Sequence, residues 1–127
     1  MKAKPMQLGA FSISLVVKDL AKSIAFYETL GFSRFGGTDE HGYAVLKNGE
    51  TLVGLYHGMF DRNMLTFNPV WDQSASAVDP FDDVRDIKAK LKVAGHEVSQ
   101  EAWDATGPGS FVVTDPDGNP VLIDQHR

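Results

Sequence analysis

Hydrophobic and polar positions along the chain follow two periods, which predict strands and helices in alternation. Leu8–Val17 alternates in part and is rich in β-branched and aromatic residues, as is typical of a strand. A helix is predicted to begin after Asp19, a favourable N-cap, and to run to about Leu30. Gly31 follows, where glycine readily ends a helix. The apolar stripe of this helix consists of Leu20, Ile24, Tyr27 and Leu30.

Three short strands are predicted next, after which the same order repeats. The strands span Phe32–Thr38, Gly42–Lys47 and Thr51–His57, with Asn48-Gly49 as a hairpin turn. The second half contains a strand at Met64–Asn68, a helix over about Asp82–Ala94, and strands at Val98, Phe111–Thr114 and Val121–Gln125. The stripe of the second helix is Val84, Ile87, Leu91 and Ala94.

The two halves match closely enough to predict an internal duplication. The spans Asp19 to Gly31 and Asp83 to Gly95 are equally long, and their apolar positions fall in register. We expect one α+β domain, residues 1–127, made of βαβββ modules at residues 8–57 and 64–125. Each helix should cover one face of its strands, leaving the other bare. Two such modules would form a curved mixed sheet around a cleft.

Composition narrows the classes of function. The 127 residues are 43% hydrophobic and 23% charged, the balance of a folded domain rather than a disordered segment. The net charge of −5 argues against nucleic acid as partner, because phosphate binding needs a basic surface. The absence of cysteine excludes disulfides, thiolate nucleophiles and cysteine-ligated metals. With no secretory signal and no apolar stretch of membrane-spanning length, we expect a cytoplasmic protein that binds no membrane.

Two motifs resemble the vicinal oxygen chelate superfamily, which includes glyoxalase I, extradiol dioxygenases, fosfomycin-modifying enzymes and bleomycin-resistance proteins. The segment from Val17 to Tyr27, closing with Leu30-Gly31-Phe32, resembles the signature of the first module. Asp115-Pro116-Asp117-Gly118-Asn119 before the last strand resembles the second signature. The resemblance covers nearly the whole chain. It implies paired βαβββ modules around a cavity, commonly in a homodimer.

The resemblance also indicates where metal-dependent members carry their ligands. A His of the first strand maps to Ser12, and two Glu positions map to Gly54 and Leu122. The remaining His maps to Met64 or Thr66. Divalent metals at such sites need imidazole or carboxylate donors, which these residues do not supply. We therefore expect no metal and no other cofactor.

Aromatic side chains are more informative candidates than the four histidines. Trp71 in a polar loop, Trp103, and Tyr56 could each either contact a ligand or pack structurally. Most phenylalanines, Phe67 among them, should be core. His41, His57, His96 and His126 are expected to have surface or structural roles, although Asp124 and His126 could meet on one strand face. No nucleophile–base–orienter set is recognisable, so catalytic residues are not assigned.

The leading hypothesis is a metal-independent small-molecule binding protein of the bleomycin-resistance type, which sequesters an aromatic or cationic ligand unchanged. The predicted contacts combine cleft-wall positions with two aromatic residues: Ser12, Ser14, Gly54, Tyr56, Thr66, Asn68, Leu122 and Asp124, with Trp71 and Phe111. One alternative is a glyoxalase I-like lyase or dioxygenase-type enzyme with an atypical metal site. Another is a protein-interaction module with a filled cavity.

Overall fold

The computed structural model describes residues 6–37 and 39–127, and this part of the chain contains two α-helices and eight strands. They are β1 Ala10–Val16, α1 Leu20–Thr29, β2 Ser33–Gly36, β3 Tyr43–Asn48, β4 Thr51–Tyr56, β5 Met64–Asn68, α2 Val84–Val93, β6 Val98–Trp103, β7 Gly109–Thr114 and β8 Pro120–Gln125. The order of strand, helix and three strands occurs twice, as the repeat predicted. The predicted end of the second strand, Thr38, lies outside the described residues. Neither α1 nor α2, the α-helices in these two ranges, is long and apolar enough to cross a membrane.

The chain forms two compact units, each considered separately below. The N-terminal unit is Ser12–Leu65; the C-terminal unit is Thr66–Arg127 together with the described residues up to Phe11. The strand order is β2-β3-β4-β1 in the N-terminal unit and β6-β7-β8-β5 in the C-terminal unit, so the two units have equivalent topologies. β1 runs parallel to β4, whereas β2–β3 and β3–β4 are antiparallel. The sheet is therefore mixed.

Helix α1 covers one face of the N-terminal strands. It begins at Asp19, whose Oδ1 accepts a hydrogen bond from the Lys22 amide at 3.1 Å. The residues packed between helix and sheet are Leu20, Ile24 and Tyr27 of the helix and Ala44, Leu46, Val53 and Leu55 of the strands. Leu30, predicted on the buried stripe, is 57% exposed. Because α1 ends at Thr29, Leu30 is already the C-cap and its side chain leaves the stripe.

Helix α2 covers the equivalent face of the C-terminal strands. Val84 and Ile87 pack with Phe111 and Ile123 in a buried cluster, joined by Leu91. Ala94, the last predicted stripe position, is the C-cap and is exposed. Residues before β1 also belong to this unit, because Met6 and Leu8 pack on the same cluster.

The start of α2 is fixed by a buried polar network. The Asp83 carboxylate accepts from the Arg85 amide at 2.9 Å and forms an ion pair with the Arg85 guanidinium. Gln125, only 1% exposed, accepts from the Val84 amide at 2.7 Å and donates to the Gly107 carbonyl at 3.0 Å. Burial raises the pKa of Asp83, but the hydrogen bonds from Arg85 and Gln125 outweigh it, so the net shift is downward. One side chain thus ties the last strand to the helix and to the loop before β7.

Candidate functional site

The helix-free face of the N-terminal unit, the face opposite α1, presents side chains from three strands. Gly54 pairs with Ser14 of β1 and with Val45 of β3. Since successive residues of a strand point to opposite faces, Ser12 and Tyr56 share this face. Ser14 and Gly54 are buried, whereas Ser12 and Tyr56 are partly exposed. The structure thus brings together the four candidates predicted in this unit.

Tyr56 lies back over Gly54. A Cβ atom built on Gly54 would stand 2.6 Å from Tyr56 Cε2 and 2.9 Å from its hydroxyl oxygen. The ring stacks on Tyr43 with centroids 5.6 Å apart and planes 1° from parallel, and contacts Phe60 at 5.1 Å. We call Tyr43, Tyr56 and Phe60 the aromatic row. It forms because residue 54 has no side chain to occupy the same space.

These residues do not fit the metal of metal-dependent relatives. Gly54 has no donor, and the space where a carboxylate would project holds the Tyr56 ring. Leu122 offers a hydrocarbon, and Ser12 offers a hydroxyl, which is a poor ligand for divalent transition metals. Among the side chains that the structure describes, no three of His, Asp or Glu come together as a metal site would require.

The helix-free face of the C-terminal unit carries the other predicted wall positions. Ser110 pairs with Asp124, and Val112 with Leu122, so these four share a face. Thr66 and Asn68 flank Phe67, which packs in the helix-side core as predicted. The Asn68 amide oxygen accepts from the Val70 amide at 3.2 Å, so this buried side chain serves the following turn.

Phe111 belongs to the core instead of the ligand-contact set. It is 0% exposed and packs with Val84 and Ile123 beneath α2. Its neighbour Ser110, paired with Asp124, points to the other face. Trp103 also lies on the helix side, where it contacts Phe111 edge-on at 6.1 Å and its Cβ approaches Gly109. Of the two open readings of Trp103, the structure supports packing.

Trp71 is presented by a short, internally bonded loop. The Val78 amide donates to the Val70 carbonyl at 2.9 Å, and Trp71 bridges to Ala77. The Asp72 carboxylate accepts from the amides of Ser74 and Ser76 at 2.9 and 3.0 Å. The sequence predicted a loop here; the spacing of Asp72 from these serines was the available signal that it is ordered.

His126 joins Trp71 to Asp124. Its Nε2 lies 3.1 Å from Asp124 Oδ2, so the two side chains meet as expected, although His126 comes just after the end of β8 and not on its face. Its ring centroid lies 4.8 Å from that of Trp71, a contact that sequence reasoning missed because the two are distant in the chain. The hydrogen bond that His126 donates to the Asp124 carboxylate is the main cause that raises the pKa of His126. We call these three residues the Trp71 cluster.

The other histidines lie elsewhere. His57 Nδ1 is 3.1 Å from the Val17 carbonyl oxygen, at the end of β1. His41 and His96 are exposed.

A groove of about 350 Å³, which the sequence did not predict, lies between α1 and the end of β1, with Lys22, Phe26 and Asn63 in its walls.

Comparison with known proteins gives a family match and structural likenesses, two of which follow. The family model for the Glyoxalase/Bleomycin resistance protein/Dioxygenase superfamily matches residues 9–123. A member of that superfamily from Vibrio splendidus 12B01 is 14% identical, with a TM-score of 0.63 over 91% of this chain and 97% of its own. The NAD-dependent benzaldehyde dehydrogenase structure from Legionella pneumophila is 18% identical, with a TM-score of 0.68 over 92% and 99%. At these identities the likeness shows the fold alone. A search of curated proteins finds no match.

Proposed function

The chain belongs to the glyoxalase/bleomycin resistance protein/dioxygenase superfamily, and from that premise we propose that it is a metal-independent small-molecule binding protein. It binds an aromatic or cationic ligand and removes it from solution without changing it. A cytoplasmic location and a homodimeric state, as is common in the superfamily, are part of this proposal.

The position of Tyr56 over Gly54 is the observation that carries the proposal. The volume that a metal-binding carboxylate would need holds an aromatic ring. Stacked on Tyr43, this ring offers a flat apolar surface held in place before any ligand arrives. Pre-ordered aromatic surfaces favour flat ligands through dispersion and organic cations through the ring quadrupole. The net charge of −5 adds a long-range attraction for cations.

A metal assay separates binding from metal-dependent catalysis. Protein purified without chelator and dialysed against metal-free buffer should hold far less than one nickel, zinc or iron ion per chain by mass spectrometry. One retained ion per chain would favour the alternative, a glyoxalase I-like lyase or dioxygenase-type enzyme with an atypical metal site.

A ligand screen tests the aromatic row directly. Cationic aromatics, antibiotics and glutathione thioesters are tested for thermal stabilisation, since a ligand that binds the native state raises the melting temperature. Any hit should be recovered unchanged by mass spectrometry. Tyr56→Ala should weaken its binding about tenfold, the loss of one good aromatic contact.

Phe26→Ala is the matched control for Tyr56→Ala. Phe26 is an aromatic residue that is 61% exposed. Because it belongs to α1, it lies on the helix side of the sheet, away from the aromatic row. A ligand at the aromatic row should bind Phe26→Ala as tightly as the wild type, whereas a ligand in the groove beside α1, which Phe26 lines, should bind this variant more weakly. Equal weakening by both variants, or a panel without any stabilising compound, would contradict ligand binding at this face and favour an interaction module.

A further inference from the structure

The Trp71 cluster brings an aromatic ring, a carboxylate and an imidazole together at one end of β8. The distances are 4.8 Å between the Trp71 and His126 ring centroids and 3.1 Å between His126 Nε2 and Asp124 Oδ2. Trp71 is half-buried, whereas the side chains of His126 and Asp124 are 44% and 38% exposed. Incoming small molecules can therefore reach the carboxylate and the histidine.

The loop that carries Trp71 is held from two sides. On one side, the Ala10 amide donates to the Trp71 carbonyl at 2.8 Å, and the Gln73 side-chain amide exchanges two hydrogen bonds with the backbone of Phe11. On the other, Arg127 donates to the carbonyls of Val70 and Val78 at 3.4 and 3.1 Å. The backbone that carries the indole is thus fixed before a ligand arrives, which lowers the entropic cost of binding.

Trp71 and Asp124 together supply the two groups that recognise an organic cation, an aromatic ring and a carboxylate. A protonated His126 is itself such a cation and contacts both of them. Its ring contacts an indole, and its N–H donates a charge-assisted hydrogen bond to a carboxylate. We infer that Trp71 and Asp124 form a binding site for the cationic group of a small organic ligand, and that His126 is an internal competitor that occupies this site while it is protonated. This inference rests on the proposed function and specifies the ligand as a cation.

The competition makes binding depend on pH in a defined direction. Because Asp124 raises the pKa of His126, the imidazolium persists somewhat above the ordinary range of histidine. Below that pKa, the imidazolium engages Asp124 through a charge-assisted hydrogen bond; above it, the neutral ring donates only an uncharged and weaker hydrogen bond, which a cationic ligand can displace. The apparent affinity for a permanently charged cation should therefore rise with pH, because the competent state becomes more populated.

The charged groups around His126 leave this direction intact. Asp124 faces it on β8, and Ser110, its partner on β7, is uncharged. In the loop, Trp71 does not titrate, Asp72 accepts from loop amides, and Asp79 lies 3.5 Å from the Arg127 guanidinium. Arg127, next to His126, keeps its charge across this pH range.

The probe is 1-methylquinolinium, a permanent cation, compared with its neutral isostere 1-methylnaphthalene by calorimetry at pH 5.5 and 8.5. The wild type should bind the cation about threefold or more tightly at the higher pH. His126→Ala should bind it at pH 5.5 as tightly as the wild type does at pH 8.5. The matched control His96→Ala, at an exposed histidine outside the cluster, should keep the wild-type pH dependence.

Asp124→Asn separates charge recognition from general apolar binding. It should weaken 1-methylquinolinium binding about tenfold and leave 1-methylnaphthalene unchanged, since only the cation uses the carboxylate. Circular dichroism checks that each variant is folded. As a second measurement, the His126 resonance should titrate at a lower pH in Asp124→Asn than in the wild type.

Each contrary result has a distinct meaning. An unchanged pH dependence in His126→Ala would overturn the competitor role. Wild-type affinity for 1-methylquinolinium in Asp124→Asn, or no binding of this probe at either pH, would overturn the cation site. The proposed function would still be judged by its own metal assay and ligand screen, so the two can fail independently.

Discussion

At the scale of single residues, two strand glycines differ in what an added methyl group would meet. At Gly109 the new Cβ would lie 2.7 Å from Trp103 Cβ and 3.2 Å from Val84 Cγ1, atoms close to the backbone of a packed core. At Gly54 it would meet the far end of the Tyr56 side chain. A core atom cannot move aside cheaply, whereas a partly exposed ring can.

Gly109→Ala should therefore cost about 2 kcal/mol of unfolding free energy, and Gly54→Ala less than about 1 kcal/mol. Gly54→Ala should nevertheless disturb the Tyr43–Tyr56 stack, visible as a changed near-ultraviolet circular dichroism signal. Urea unfolding of both variants measures the difference. A larger loss at position 54 than at 109 would show that the aromatic row is the more rigid of the two surroundings.

The His126–Asp124 pair gives a pH-dependent contribution to stability. Because the folded-state pKa of His126 is raised, the contribution is fully present below the unfolded-state pKa of about 6.5 and is lost as pH rises through the folded-state value. Both side chains are more than a third exposed, so the effect is small. Asp124→Asn should lower the melting temperature at pH 5.5 and leave it nearly unchanged at pH 8.5.

At the scale of elements, the two equivalent helix N-caps have different surroundings. Asp19 accepts one hydrogen bond, from Lys22, whereas Asp83 also pairs with Arg85 and accepts from Gln125 at 3.2 Å. Asp83→Ala should cost about 2 kcal/mol and Asp19→Ala about 1 kcal/mol, by chemical unfolding at pH 7. Equal losses would mean that the buried network adds nothing to the cap.

Low pH should reduce the difference in unfolding free energy between the wild type and Asp83→Ala. The pKa of Asp83 is lowered overall, since the hydrogen bonds from Arg85 and Gln125 outweigh burial. Its contribution is present above the unfolded-state pKa of about 3.9 and is lost as pH falls through the folded-state value. The stability gap between wild type and Asp83→Ala should therefore narrow below about pH 4. If this difference in unfolding free energy persisted at pH 2, the effect of Asp83→Ala would be due to packing and not to the charge of Asp83.

Helix ends were predictable because capping is local, whereas strand faces were only partly so. Asp19 caps its helix as predicted, and the second helix, predicted from about Asp82, begins after Asp83, since a carboxylate before a helix needs only its own neighbours to act. Phe111 and Asp124 were both expected at the ligand, yet the register pairs Asp124 with Ser110 and turns Phe111 to the other face. That register depends on cross-strand pairing, which a single sequence does not encode locally.

Side-chain direction limited the prediction of the candidate site in the same way. Alternation correctly placed Gly54 and Tyr56 on one face, but the backward lean of the ring depends on a rotamer that packing selects. The contact between Trp71 and His126 joins residues far apart in sequence. Sequence analysis therefore found several of the participants and the Asp124–His126 contact, but not the contact of Trp71 with His126 or the lean of Tyr56 over Gly54.

At the scale of the whole molecule, the element order occurs twice, and the net charge favours the cationic ligand that we propose. The equivalent strand orders of the two units follow from the repeated element order. The net charge of −5 should make binding of 1-methylquinolinium weaker in high salt, because counterions screen the attraction. The affinity for 1-methylquinolinium should decrease as sodium chloride is raised from about 20 mM to about 500 mM, a range over which the screening length shortens severalfold. The affinity for 1-methylnaphthalene should not decrease.

The assembly state is a second prediction at this scale. Light scattering at micromolar concentration should give twice the chain mass of 13.9 kDa if the protein is a homodimer, as the superfamily suggests. A mass equal to one chain across the accessible concentrations would remove the dimer from the proposal without affecting the ligand screen.

The lean of Tyr56 over Gly54 couples substitutions at these two positions. The Cβ atom of Gly54→Glu would lie 2.6 Å from Tyr56 Cε2, so the glutamate fits only if the phenol ring swings out of its stack with Tyr43. Replacing the tyrosine first would clear the way but dismantle the stack with Tyr43. Neither single substitution keeps the aromatic row intact, and each is expected to weaken ligand binding at this face. Because both act on the same pair of side chains, their effects on binding should not be additive.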